Sequence, residues 1–595
     1  MNSSSTQNKV WLYWLAFLIA LGFRLILLGA SPLTDSEATL ALQALHIAQG
    51  KAPLLDAQPG YILFTSILFA VINSTNFMAR LLPALAGSAL VFAPYFFREK
   101  IKPEPALILA FLFAIDPGLV ALSRQANGTI LAVTFLLFAW GMWLNRRLIP
   151  AGILAGLALL AGPSLWMGAL VFGLTGLFLQ GTRPQRTDTD EANVVDESPA
   201  SDSQPARSQS ARLQLFTGEY RPAVFALIVT ILLGGTLFLL SPNGLSAWVS
   251  ALPVYLSGWV SQTSATPGRV ALAFIGYEPL GIFLAIFSLV RGIRMKSRRI
   301  GRLGLWLGVA LLLAIFYRQT NELVWAIIPL LALAAMELRR AVRIFPEERL
   351  EVGVVVLALM ILLVYISFDL SKIGLDPRGQ LTATQLPLFG RMINLTAAPY
   401  LILLGASLIL ILCVSFVAFG WSARTAWLGT TWTFVIFLGI YTFAAAWGAS
   451  GLRPQNGVEL WKPDLPPGEA KLLASTVNDM SDLSLGHAQA QPITIMGVDS
   501  PALEWALRYH EVKVVSEADS QAAPPIIITP VMTDLGLAAS YRGQDFFWRQ
   551  SPQWQAVAAP EWIRWLVFRQ LPKDNEMIIL WARDDLFPDA RQTAQ

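Results

Sequence analysis

Thr34-Asp35-Ser36-Glu37 is the sharpest group of reactive side chains in this sequence: two carboxylates at the start of a helical stretch that runs to about Gly50. Carboxylates so placed can take a proton from a hydroxyl as general base or hold a divalent cation, and either act serves the transfer of a group away from a phosphate. The same residues have a second reading. Thr34 followed three positions later by Glu37 is a helix capping box, and an aspartate in a first turn suits the helix dipole. The two readings are compatible and stay open at this level. His46 lies two and a half turns beyond Glu37, so it could share a face with the acids or simply pack. Ser123-Arg124 offers a fixed positive charge suited to a lipid phosphate, and Arg318, Arg269 and Arg391 are weaker versions of the same idea. The remaining acids, Asp56, Asp116, Glu278, Glu322 and Asp369, fall at the ends of apolar runs. No metal site is assigned. The histidines His46, His487 and His510 are scattered and Cys413 is the sole cysteine, so no His or Cys constellation exists, and a divalent cation held by the acids is the one cofactor left open.

The elements that must position these residues are membrane helices. Of the 595 residues, 55% are hydrophobic and 14% charged, against about 25% charged in an average soluble protein. Apolar runs of roughly 15 to 23 residues recur, near the length that crosses a hydrocarbon core of about 30 Å as helix. The pattern predicts an α-helical polytopic membrane protein with about thirteen transmembrane helices, near 11-29, 80-97, 104-121, 129-145, 148-163, 165-180, 222-240, 270-290, 303-317, 322-338, 351-368, 397-419 and 425-447. Basic residues such as Arg98, Lys100, Lys102, Arg146, Arg147, Arg291 to Arg302, Arg339 and Arg340 then fall on the side of Lys9. That bias makes the N-terminus cytoplasmic and places everything after residue 447 outside the cell membrane. The net charge of +4 is spread over span ends without a basic patch, so a nucleic-acid partner is not expected.

The shorter run 59-73 opens with Pro59-Gly60 and lacks a basic flank. It is read as interfacial or re-entrant, which makes 30-79 a long structured outer loop. Arg24, in the outer third of the first span, is expected to snorkel to the interface. Residues 1-180 form one membrane module and 222-449 the remaining helices. Between them, 181-221 is rich in Ser, Gln, Asp, Arg and Pro and reads as a disordered cytoplasmic linker. Residues 450-595 regain soluble composition, with strand-like Ile493-Thr494-Ile495-Met496, Val512-Lys513-Val514-Val515 and Ile526-Ile527-Ile528 around a helix-like Pro501 to His510, a small extracytoplasmic α/β domain. No Gly-rich phosphate loop follows those strands.

Taken together, the chain resembles the GT-C superfamily of membrane glycosyltransferases, in the branch of protein O-mannosyltransferases and aminoarabinose transferases, and is similar to a flippase-associated prokaryotic group. The likeness rests on Asp35-Ser36-Glu37 after the first span, Pro59-Gly60-Tyr61, Ala79-Arg80-Leu81-Leu82-Pro83-Ala84-Leu85-Ala86-Gly87, and Asp116-Pro117 to Ser123-Arg124-Gln125-Ala126. It implies transfer of a sugar from a polyprenyl-phosphate lipid to an acceptor protein, lipid or glycan on the extracytoplasmic face, with inversion at the anomeric carbon. By position Asp35 would be the base, Glu37 its partner or a cation ligand, and Arg124 a contact to the donor phosphate. The family's second loop continues to a further arginine and an acid, where this sequence has Asn127 and Thr129; Asp116 or Glu278 would then substitute. The alternative is a non-catalytic relative that binds, assembles or flips lipid-linked glycans.

Overall fold

The computed structural model describes residues 10–181, 220–261, 265–342, 349–376, 384–388, 391–395, 398–453, 457–461, 465–517, 523–554 and 559–587. The expected linker therefore lies almost wholly outside the described residues. The chain is a helical membrane protein that ends in a small mixed sheet. It opens with α1 (Val10–Leu25), followed by two loop helices, α2 (Asp35–Ala48) and α3 (Pro59–Val71), and the long span α4 (Asn76–Phe96). Next come α5 (Pro103–Ile115) and α6 (Pro117–Ser123), bent 56° from one another at Asp116.

All thirteen apolar runs are helical, though three of the candidate spans are sharply bent and others are short. By length and apolarity, six described helices are long enough to span, or nine if each of three sharply bent pairs is one span. The cause is breakage at prolines and glycines: Leu148–Leu160 meets Ser164–Leu179 at 118° across Gly162-Pro163, and Pro267–Tyr277 meets Pro279–Arg294 at 85° across Glu278-Pro279. Helix α3 is 13 residues long, about 20 Å, too short to cross. It lies instead as a buried wedge, with Tyr61, Ile62 and Leu63 fully covered.

Breaks inside a bundle leave carbonyls without helical partners, and in hydrocarbon those must be satisfied from within. Two arginines do this reciprocally. Arg24 does not snorkel. It is completely buried, and its guanidinium donates to Phe113 O and Ala114 O (both 3.1 Å), Ala20 O (3.2 Å) and Ser123 Oγ (3.1 Å). The first of these is the carbonyl that Pro117, lacking an N–H, cannot serve. Arg124 answers from α6, donating to Phe23 O, Arg24 O and Ile26 O at the end of α1 (2.9–3.1 Å). Gly87 makes room, since a Cβ there would stand 1.9 Å from Ser123 Oγ.

The C-terminal sheet has the order β4-β3-β5-β7-β6, with β3 (Ile493–Met496), β4 (Val512–Val515), β5 (Ile526–Pro530), β6 (Tyr541–Pro552) and β7 (Lys573–Arg583). β3 runs parallel to both neighbours, while β7 is antiparallel to β5 and β6. A separate antiparallel hairpin, β1 (Thr384–Leu388) with β2 (Arg391–Leu395), is an addition the hydropathy reading does not contain. The expected phosphate contact Arg391 lies on that hairpin, where side chains are not described.

The domain is seated on the first loop. Trp505 Nε1 donates to Asn76 Oδ1 (2.7 Å), Arg508 Nε donates to Ser74 O (2.9 Å), and the Trp505 ring packs 5.7 Å from Phe69. The loop and the domain thus share one side of the bundle. At another set of helix ends, Arg339 pairs with Glu104 and Arg291 with Glu337, which gathers three of the basic span ends together.

Two outcomes follow. Replacing Arg24 with Leu strands the Phe113 and Ala114 carbonyls and is expected to cost about 3 kcal/mol, read as a lower unfolding temperature in detergent. With Cys413 replaced by Ser, cysteines introduced at Lys51 and at Asp534 should react with an impermeant maleimide from the same side, and one at Lys296 from the other.

Candidate functional site

Where the first loop, the second loop and the later helix ends converge, the structure holds an open cavity of about 430 Å³, within the usual range for small-molecule sites. Its wall is drawn from Thr34 to Leu40 of α2, Asp56 and Gln58 before α3, Gln125 to Thr129, Ala161 to Ser164 at a helix break, Val254 to Ser261, and Tyr317 to Glu322. Every one of these stretches is a loop, a helix end or a break. Gly128 allows the tightest approach: a Cβ there would lie 1.9 Å from Ala161 O.

Glu37 is the pivot of this wall. Its Oε1 accepts from Arg80 Nε (2.8 Å) and Ala126 N (2.9 Å), and its Oε2 accepts from Arg80 Nη2 (2.6 Å) and Thr34 N (3.1 Å). Arg80 in turn donates to Leu28 O, Ser31 O and Pro32 O (2.9–3.2 Å). The capping box at Thr34 is present in full. One buried ion pair therefore fixes α2, α4, the loop that follows α1 and the second loop together. Four donors thus converge on this one carboxylate.

Asp35 faces elsewhere. Its Oδ1 accepts from Ser500 Oγ (2.5 Å) and Ala502 N (3.1 Å), and its Oδ2 pairs with Arg549 Nε (3.2 Å). It is a docking residue for the C-terminal domain and does not line the cavity. Arg124 donates from Nη1 to the carbonyls at the end of α1. Asp116 is the N-cap of α6, accepting from Leu119 N at 2.7 Å, and is buried with Glu278 beside a separate small void. The structure so brings Asp116 and Glu278 to each other, away from Glu37. His46 is half-buried on α2 outside the cavity wall, and burial together with the nearby Lys51 charge holds its imidazole below the usual range. Arg318, in the left-handed region at φ 60°, is exposed between the lining residues Tyr317 and Gln319.

The carboxylates available to a ligand are Asp56 and Glu322. Asp56 is solvent-exposed, with Oδ1 accepting from Ala57 N (2.6 Å). Glu322 is buried, and Ser164 Oγ donates to its Oε2 at 2.9 Å, with Trp325 Nε1 behind donating to Ser164 O (3.1 Å). In the sequence both read only as acids at span ends, because nothing in their spacing ties residue 56 to residue 322. Among the described residues no three His, Cys, Asp or Glu side chains are grouped to hold a metal ion.

No model of a known protein family and no curated protein matches this sequence. Among solved structures it is similar to ArnT from Cupriavidus metallidurans bound to undecaprenyl phosphate, with 13% identity over 88% of this chain and 93% of that one and a TM-score of 0.50. The apo form of that protein gives 12% identity over 89% and 94%, with a TM-score of 0.46. An oligosaccharyltransferase from Archaeoglobus fulgidus, tethered with an acceptor peptide, gives 13% over 85% and 63%, with a TM-score of 0.43. The chain therefore shares its fold with ArnT over nearly the whole length of both proteins.

Proposed function

We propose that this protein moves a sugar from a polyprenyl-phosphate donor to an acceptor hydroxyl on the extracytoplasmic side of the cell membrane. The observation that carries the reading is the polar, acid-lined cavity at the loop end of the bundle, with Glu37, Asp56 and Glu322 in its wall. The fold shared with a structure holding undecaprenyl phosphate supports the donor class.

In this reading the base is Asp56 and not Asp35, because a general base must reach the acceptor with a free lone pair. Asp56 takes the acceptor proton as the oxygen forms its bond to the anomeric carbon. The anomeric C–O bond breaks with its electron pair on the departing polyprenyl phosphate. Attack opposite the leaving group inverts the anomeric carbon. Arg318 supports the phosphate at the mouth, and Glu322, held by Ser164, orients the sugar or the acceptor. Glu37 keeps the wall in place through Arg80. Each of these steps uses the chain's own side chains. A non-catalytic glycan-binding role is the second reading, favoured by the neutral Asn127 and Thr129 in the second loop.

The purified chain in proteoliposomes, supplied with a polyprenyl-phosphate sugar and a hydroxyl acceptor, tests this. Asp56→Asn is expected to lower kcat by about 10²–10⁴ with the unfolding temperature unchanged, and full turnover by that variant would remove Asp56 from the mechanism. Asp35→Asn should retain kcat within about threefold while rendering the C-terminal domain easier to cleave in limited proteolysis, since a surface ion pair of this kind contributes only about 1 kcal/mol.

A further inference from the structure

We infer that the group bound in the cavity is an uncharged, hydroxyl-rich sugar, recognised by side-chain amides, with the donor phosphate left at the mouth. This rests on the sugar-transfer reading and narrows it to a substrate class. Five amides, Gln58, Gln125, Asn127, Gln319 and Asn321, line the cavity. Three of them are held in register by the protein. Gln125 Nε2 donates to Trp461 O (2.9 Å) and its Oε1 accepts from Asn127 Nδ2 (3.0 Å); Asn127 Oδ1 accepts from Thr129 N (3.1 Å); Gln58 Oε1 accepts from Gly128 N (2.6 Å).

An amide offers two N–H donors and two acceptor sites. After these bonds Asn127 keeps one of each, and Gln58 keeps two donors and one acceptor. A donor beside an acceptor is what a sugar hydroxyl needs, since it gives one hydrogen bond and accepts others. The Asn321 Oδ1 atom is buried and accepts no hydrogen bond. A buried acceptor left bare costs about 1–3 kcal/mol, so Asn321, which lines the cavity, gains by turning its amide toward a bound hydroxyl.

The charges of the wall argue against an acidic sugar, and the amides above carry the preference for hydroxyls. Among the described residues the lining contains no Lys, Arg or His, and of its acids only Glu37 is matched by an arginine. A uronate or a phosphorylated sugar would enter facing Asp56 and Glu322 with no counter-charge, a desolvation cost that nothing repays. The phosphate of the donor must therefore stay outside, where Arg318 is exposed.

The experiment compares three donors on one polyprenyl-phosphate lipid, a hexose, a hexuronate and an amino-hexose, using the full chain in proteoliposomes. The hexose should be consumed with kcat/KM about 100-fold above the hexuronate, equivalent to about 2.7 kcal/mol. Asn321→Ala and Asn127→Ala should each raise KM for the hexose about tenfold with kcat within about threefold, and Asn321→Gln should recover part of the loss. Equal use of the hexuronate, a tenfold preference for the amino-hexose, or an unchanged KM in Asn321→Ala overturns the inference while leaving sugar transfer standing. Consumption of none of the three overturns the sugar-transfer reading, and the inference with it.

Discussion

The Glu37–Arg80 ion pair is the interaction on which the rest of this structure depends. Buried on both sides, it would be costly if either partner were left alone, and it is affordable because every polar atom finds further work. Arg80 reaches carbonyls of the loop that follows α1, and Glu37 reaches the backbone of α2 and of the second loop. Arg24 and Arg124 repeat the logic a short distance away. In each case a guanidinium with five donors does what solvent does for loop ends in a soluble protein. Charges that look like candidate ligands in the sequence are in this way consumed by the architecture.

That consumption explains which parts of the site were legible. The helical runs, the short segment 59-73 and the C-terminal domain with its parallel strands follow from periodicity and composition. The capping box at Thr34 follows from a local spacing. Glu37 was legible as a residue of consequence, yet its neighbour Asp35 looks identical on paper. What separates them is rotation about α2: one carboxylate faces Arg80 and the cavity, the other faces Ser500 and Arg549. No local pattern encodes that, because the partners lie 43 and 465 positions away. Asp56 and Glu322 were obscure for the same reason. Arg24 was misjudged because hydropathy treats a charge near a span end as free to escape, whereas the break at Asp116-Pro117 gives it carbonyls to stay for.

The cavity is built almost wholly from interruptions in helices. Unwound backbone is tolerated at such depth only where protein or water covers it, so the breaks at residues 161–164 and 319–323 serve two ends at once. They let the spans turn, and they expose amide and hydroxyl groups to a ligand. Rigid helices on either side then hold those groups in place.

The seat of the C-terminal domain has a temporal side. Gln125 is held by the carbonyl of Trp461, 336 positions later, and Asp35 by residues 465 positions later. A ribosome delivers the first of each pair long before the second. The support of Gln125 in the cavity wall is consequently completed only when the last segment arrives, so a chain truncated before Trp461 lacks that strut of the pocket.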